Sequence, residues 1–439
     1  MESTTLADLG AALPSINSQE TLQGQITKVK ECLAACKKER QAMGKPRNTP
    51  EKQRRYLMKR VIGFQRLASA AVEGRYGANR LFIARPEYRL ISQITNLTEH
   101  FRSGVRKRGH TYYFKNESDD GLFDATAGKI ISNGQRLREW AASCEELSEI
   151  LKLLGNGEEK EEVGALAKPE EGMMKYLATA ISELPKQRKQ LETQESLFTK
   201  IFHYQAKKWS LHANYLMKST IITIHRFISQ LLLHVFPNNA QEEVCTKVQD
   251  LIIPKVLRAY KRAWAQKDFL VKMELECHSL QTYNSPQFEA AITRIGRQNF
   301  RTTLIQNFDR KKFALGPDGA FNAAVVEAAA ASNSAGAGIE EVVEDIHDLL
   351  CAYYTIATER LIDNICRQAV TYFLLEAEDG PVKLLSVEFI EKLGDEQLER
   401  VAGEDETTTA ARLSHIAKTK YHKEVLKVLR QLEREWTEG

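Results

Sequence analysis

The sequence predicts an all-α protein built as an elongated antiparallel helical bundle, and three observations carry that expectation. Helical periodicity dominates, while alternating β-branched runs and hairpin-type Asn-Gly or Asp-Gly turns are few. The stretch Glu195 to Val235 holds neither proline nor glycine. A single helix there would reach about 60 Å at about 1.5 Å per residue. Pro237-Asn-Asn ends it, and Gln241 to His278 follows as a second long helical segment, interrupted only by Pro254, which should kink it. Two long helices joined by so short a turn make an antiparallel pair.

The elements before this pair are punctuated by proline and glycine. A first helix is expected from about Thr21 to Met43, stopped by Gly44-Lys45-Pro46. Thr49-Pro50-Glu51 supplies an N-cap with proline at the first helical position, and that second helix should run to about Gly74. Helical signal resumes from Glu87 and ends at Arg108-Gly109-His110. Asn116 to Ala125 is acidic and turn-rich, Gln135–Leu154 helical, Gly155–Gly164 a solvated linker, and a short helix is expected near Met173–Leu184. After the long pair, the Ala/Ser/Gly tract Ala323–Gly338 reads as a surface loop. One helix is then expected from about Ile339 to Glu376, with Ile346, Leu350, Tyr353 and Ala357 on one stripe, and Arg360 three residues from Asp363, close enough to pair with it. A final helix, about Thr407 to Trp436, carries the stripe Val425, Leu429, Leu432 and Trp436.

Composition narrows the function. The 62 basic and 58 acidic residues nearly cancel, leaving +4, so no field spans the whole chain to attract nucleic acid, and any basic site must be local. The seven cysteines include no CxxC pair. Cys32 and Cys36 lie one helical turn apart without His or Cys at zinc spacing, as expected of reduced core thiols. Met1-Glu-Ser-Thr-Thr does not open a signal peptide, and Ile221–Phe236 is too polar and short for a membrane span. A cytoplasmic protein, at most peripheral at membranes, is expected.

The C-terminal segment carries a family resemblance. Asp345 to Ile365 contains Ala352-Tyr353-Tyr354 and Arg360-Leu-Ile-Asp-Asn364. An apolar run follows, then Asp395-Glu-Gln-Leu398-Glu-Arg-Val-Ala-Gly-Glu-Asp405. That order resembles the GTPase effector domain of dynamin-like GTPases, especially the fungal and Mx-like branch. Upstream, Lys37–Arg47 followed by Thr49-Pro-Glu is similar to the kinked first stalk helix of that family, and Arg108-Gly-His-Thr-Tyr112 to the turn closing it. Leu197–Trp209 is similar to a stalk segment ending in Gln-x-x-Lys-Trp, and Thr282-Tyr-Asn284 to a stalk-tip motif. The resemblance implies an N-terminal segment at 1–24, a stalk at 25–340 and an effector domain at 341–436. The stalk would carry a weakly matching insertion at about 113–185 and a tip region at 279–340.

The family hydrolyses GTP, and here the sequence departs from it. A phosphate-cradling loop needs G-x-x-x-x-G-K-[ST], its glycines letting backbone N–H groups wrap the phosphates. Gly44-Lys45 is followed by Pro46 and Gly128-Lys129 by Ile130, with Glu39 and Phe123 where the first glycine belongs. Thr246-Lys247-Val-Gln-Asp250 is one residue too long for the guanine-reading [NT]-K-x-D. Only 24 residues precede the stalk-like region, so the chain is expected to carry no GTPase head. The ten histidines form no HExxH, and no G-x-S-x-G elbow occurs. No catalytic residue, metal or cofactor is expected.

Three sets of residues remain as candidate sites. Arg294, Arg297, Arg301, Arg310, Lys311 and Lys312 stand against the single acid Asp309, with Phe300, Phe308 and Phe313 interleaved. Such a strip suits an anionic lipid surface, and an amphipathic helix with its charges outward accounts for it equally. The stripe Val425–Leu429–Leu432–Trp436 occupies the position of a family helix that packs beside helices flanking the GTPase head. Without those it is expected to lack a partner, although Leu6, Leu9, Leu13 and Ile16 offer partial cover. Gly44, Pro46, Arg108, Gly109 and His110 are the assembly-loop candidates, because the family's stalks self-assemble through such loops. The resemblance therefore implies a homo-oligomer, or a module joining full-length dynamin-like GTPases. A piece of a gene whose head lies upstream, or an unrelated helical lipid-binding adaptor, are the alternatives.

Overall fold

The structure, a computed structural model, describes residues 19–115, 139–153, 167–182, 190–236, 239–276, 290, 293 and 339–438. It is all-α: among these residues there is no strand, only an isolated parallel bridge between Tyr112 and Glu170. None of the described helices is long and apolar enough to cross a membrane. The helices are α1 Gln19–Ala42, α2 Pro50–Val72, α3 Arg80–Ala84, α4 Leu90–Arg108, α5 Glu145–Leu153, α6 Met173–Ser182, α7 Gln190–Gln205 and α8 Trp209–Val235. After them come α9 Asn239–Glu276, α10 Ile339–Asn364, a π-helix Ile365–Glu376, α11 Val387–Glu391, α12 Asp395–Ala402 and α13 Glu406–Glu438. The chain divides into two compact units: residues 1–65, 232–251 and 385–439 form the first, and 66–231 and 252–384 the second.

In the first unit, α1 and α13 lie antiparallel. Gln23 Nε2 donates to Glu433 near one end, and Arg412 donates to the carbonyls of Met43 and Gly44 at the other. Leu22 and Ile26 of α1 meet Val425 and Leu429 of α13, with Val29, Leu426 and Leu432 packed around them. Leu22 and Leu429 are almost wholly buried, each contributing about 1.5–3 kcal/mol by removal from water. Val425, Leu429 and Leu432 of the stripe expected to lack a partner are therefore packed against α1. Leu6 to Ile16 and the Trp436 side chain lie outside the described residues. The missing signal was the register of α1: Leu22 and Ile26 are spaced i, i+4, but most of that helix is polar, which hid the match.

The expected single helix Glu195–Val235 is two helices, divided within the second unit. The break at residues 206–208 contains no proline or glycine, and its cause is tertiary. Thr111 Oγ1 donates to Tyr204 O at 2.6 Å and Thr111 N to Gln205 O at 3.0 Å. The Gln205 amide closes a reciprocal pair with Tyr112, accepting from its N at 3.0 Å and donating to its O at 2.7 Å. Carbonyls that would continue the helical ladder are engaged elsewhere, so the chain turns before Trp209. By contrast, α9 runs through Pro254 as one helix.

The helix expected over Ile339–Glu376 also divides. Beyond Asn364 the winding is π, and Ala377 N still donates to Tyr372 O, five residues back, at 2.8 Å. The buried residues there fall in adjacent pairs, Ile365–Cys366, Ala369–Val370 and Leu374–Leu375, four and then five residues apart. A π winding, with its wider i to i+5 turn, keeps that pattern on one face where an α-helix would rotate it away. On α10, Leu350, Tyr353 and Ala357 are buried as expected and Ile346 is half-buried. The expected Arg360–Asp363 pair does not form. Arg360 Nε lies 2.9 Å from both oxygens of Glu274, a buried carboxylate on α9, and Asp363 faces Arg102 of α4 at 3.9 Å. A buried acid offering two oxygens outcompetes an exposed one on the same helix surface.

Candidate functional site: the hinge clamp and the aromatic turn

Gly44 sits at φ 69°, the left-handed conformation a helix C-terminus favours and in which a side chain would be strained. Pro46 prevents the helix from resuming, and Thr49 restarts it: Lys52 N donates to Thr49 Oγ1 at 3.4 Å and Gln53 N to Thr49 O at 3.0 Å. The bend predicted at Gly44–Pro50 is therefore present, and its side-chain support comes from residues far along the chain.

That support is a buried ion pair. Arg412 Nη2 lies 2.6 Å from Glu404 Oε1 and its Nε 3.2 Å from Oε2, a two-point contact in which Glu404 is 4% and Arg412 9% exposed. The same guanidinium donates to Gly44 O at 2.9 Å and Met43 O at 3.2 Å, satisfying carbonyls the helix end leaves open. On the far side of the bend, Arg47 N donates to Glu404 Oε1 at 3.2 Å. The Arg47 guanidinium stacks over Tyr56 at 4.8 Å, and Gln53 Nε2 donates to Arg47 O at 2.9 Å. Arg54 completes the surround, donating to Glu391 O and to Leu393 O at 3.0 Å. Gly44 and Pro46 thus mark a bend clamped by Glu404 and Arg412, residues whose role no local spacing discloses.

The second candidate, Arg108–Gly109–His110, is part of the core of its unit. Arg108 and His110 are buried, so their side chains are presented to the chain itself. Gly109 has ordinary helical φ (−72°), and its need is space: a Cβ there would lie 2.3 Å from Val105 O and 3.1 Å from Trp209 Cδ1. Around it, His110 packs against Tyr113, Phe114 and Tyr354 with ring centroids 5.7–6.0 Å apart. Trp209 Nε1 donates to Tyr354 Oη at 2.7 Å, and Phe202 meets Trp209 edge-on at 5.5 Å. Burial, helped by the charges of Lys208 and Arg108, lowers the His110 pKa to about 4. His225 is held near 4 by burial as well. Both imidazoles are neutral at physiological pH.

The cations Arg294, Arg297, Arg301, Arg310, Lys311 and Lys312 lie outside the described residues. Sequence reading missed the Glu404–Arg412 clamp and a cluster of Cys36, Glu39 and His415 across α1 and α13. The weak signals available were Glu404 in the acidic Gly403-Glu-Asp405 turn and the i, i+3 spacing of Cys36 and Glu39, neither of which names a partner. In comparisons with known proteins, no family model, curated protein or solved structure matches the chain.

Proposed function

We propose that this chain is the stalk and effector-domain module of a dynamin-like protein. In this reading it forms an elongated antiparallel bundle that self-assembles, or joins full-length dynamin-like GTPases, as a scaffold for membrane remodelling, and is not itself an enzyme. One observation supports it most: a bend at Gly44–Pro50 is clamped by residues from the far end of the chain, Glu404 and Arg412. A lever that relays motion needs its first and last helices coupled at a bend. The antiparallel α1–α13 pair and the Glu404 clamp supply that coupling. The order of the quoted motifs, from Lys37–Arg47 to Leu398–Asp405, supports the same reading.

Membrane contact is assigned to the basic strip. In vesicle co-sedimentation, the chain is expected to pellet with phosphatidylserine-containing vesicles at low salt. Changing Arg294, Arg297, Arg301 and Lys311 to Glu is expected to weaken that binding by at least about 100-fold, since each cation near anionic headgroups contributes about 1 kcal/mol. Unchanged binding by the four-fold variant would remove the strip from the account. Measurable GTP turnover by the purified chain would overturn the non-enzymatic reading.

A further inference from the structure

Cys36 and Glu39 stand three residues apart on α1, on one face of the helix, and His415 approaches them from α13. Their donor atoms all lie within 4.8 Å of one another. Cys36 is buried, His415 is mostly buried, and Glu39 faces solvent. His415 Nδ1 lies 3.2 Å from Glu39 Oε2, yet it is sealed from solvent and its geometry makes no hydrogen bond. A buried ring nitrogen left without a hydrogen bond is a costly arrangement for a purely structural histidine. It is the arrangement a metal ion would complete.

We propose that Cys36, Glu39 and His415 form a binding site for a zinc-class divalent cation, which staples α1 to α13 beside the hinge. A thiolate, an imidazole and a carboxylate form a mixed set suited to borderline-soft Zn²⁺, with the fourth tetrahedral position open to solvent past Glu39. Around tetrahedral zinc, S and N donors lie about 3.5 Å apart, so closing the present cluster takes a shift of about 1 Å. The exposed Glu39 side chain has the freedom to move. On binding, the Cys36 S–H bond breaks, its proton passes to solvent, and the sulfur electron pair forms the S–Zn bond, with no change of oxidation state. The ion would join the two helices only a few residues from the carbonyls that Arg412 holds, adding a second tie to the clamped bend. The site stands on these residues alone and is independent of the dynamin-like reading.

The test is Zn²⁺ titration of the chelator-stripped full chain against a chromophoric competitor, with Co²⁺ as spectroscopic probe. One equivalent of Zn²⁺ is expected to bind. Bound Co²⁺ is expected to show a thiolate charge-transfer band that Cys36→Ser abolishes. His415→Gln, a milder change at a partly exposed position, is expected to weaken binding at least about tenfold while far-ultraviolet circular dichroism stays unchanged. Cys32→Ser, one turn away on an exposed position, is expected to leave affinity and spectrum intact. No stoichiometric binding, a cobalt complex without the thiolate band, or affinity indifferent to His415→Gln would each overturn the site.

Discussion

Glu404→Ala is expected to destabilise the first unit by about 3–5 kcal/mol, the cost of leaving a buried cation without its counter-charge. Glu404 is 4% exposed and serves three donors at once: Nε and Nη2 of Arg412 and the backbone N–H of Arg47. Its removal strands the Arg412 guanidinium, which still caps Met43 and Gly44, in a site closed to water. Glu404→Gln keeps an acceptor but loses the charge, and is expected to cost less, about 1–3 kcal/mol. Hydrogen exchange reads the effect directly. Amides of α1 and α13 should lose protection together in Glu404→Ala, and unaltered protection would show that the clamp does not hold the pair. The exposed Arg106–Glu359 pair of the second unit supplies the contrast. It has two contacts of 2.7 Å, but both side chains are about half in water, so its loss is expected to matter little.

Acidification is expected to destabilise the second unit through His110 and His225. Each has a folded pKa of about 4 against an ordinary value of 6.5. Between those values the unfolded chain binds more protons than the folded one, so stability rises with pH in that window. The full contribution is present above about 6.5 and is lost as pH falls toward 4, about 3 kcal/mol for each histidine over the whole range and about 2 by pH 5. Denaturant midpoints measured from pH 7 to 5 should therefore fall steadily. His225→Gln should remove roughly half the slope, and a flat profile would contradict the neutral buried imidazoles.

How much of this was legible in the sequence depends on how far the decisive contact lies along the chain. Gly44-Lys-Pro46 and Thr49-Pro50 state the bend locally, because φ freedom, a missing donor and a cap are properties of single residues. Leu350, Tyr353 and Ala357 state a buried face through spacing alone. The division at residues 206–208 could not be read in the same way. Nothing in Gln205-Ala-Lys-Lys-Trp209 opposes a helix, and the break is made by Thr111 and Tyr112. The π winding after Asn364 is present in the sequence as apolar pairs four and then five residues apart, a pattern that a period of 3.6 does not contain. Among the site residues, Arg108 and His110 had the polarity of surface groups, and only the surrounding ring of Tyr113, Phe114, Trp209 and Tyr354 makes them interior. The spacing of Val425 and Leu429 states an apolar face that needs cover, and a helix of the same unit, α1, supplies it.

The proposed self-assembly is open to sedimentation velocity on the full chain. The weight-average sedimentation coefficient is expected to rise with protein concentration from the low micromolar range upward, as subunits join through repeated contacts. A single monomeric species at every concentration would contradict it.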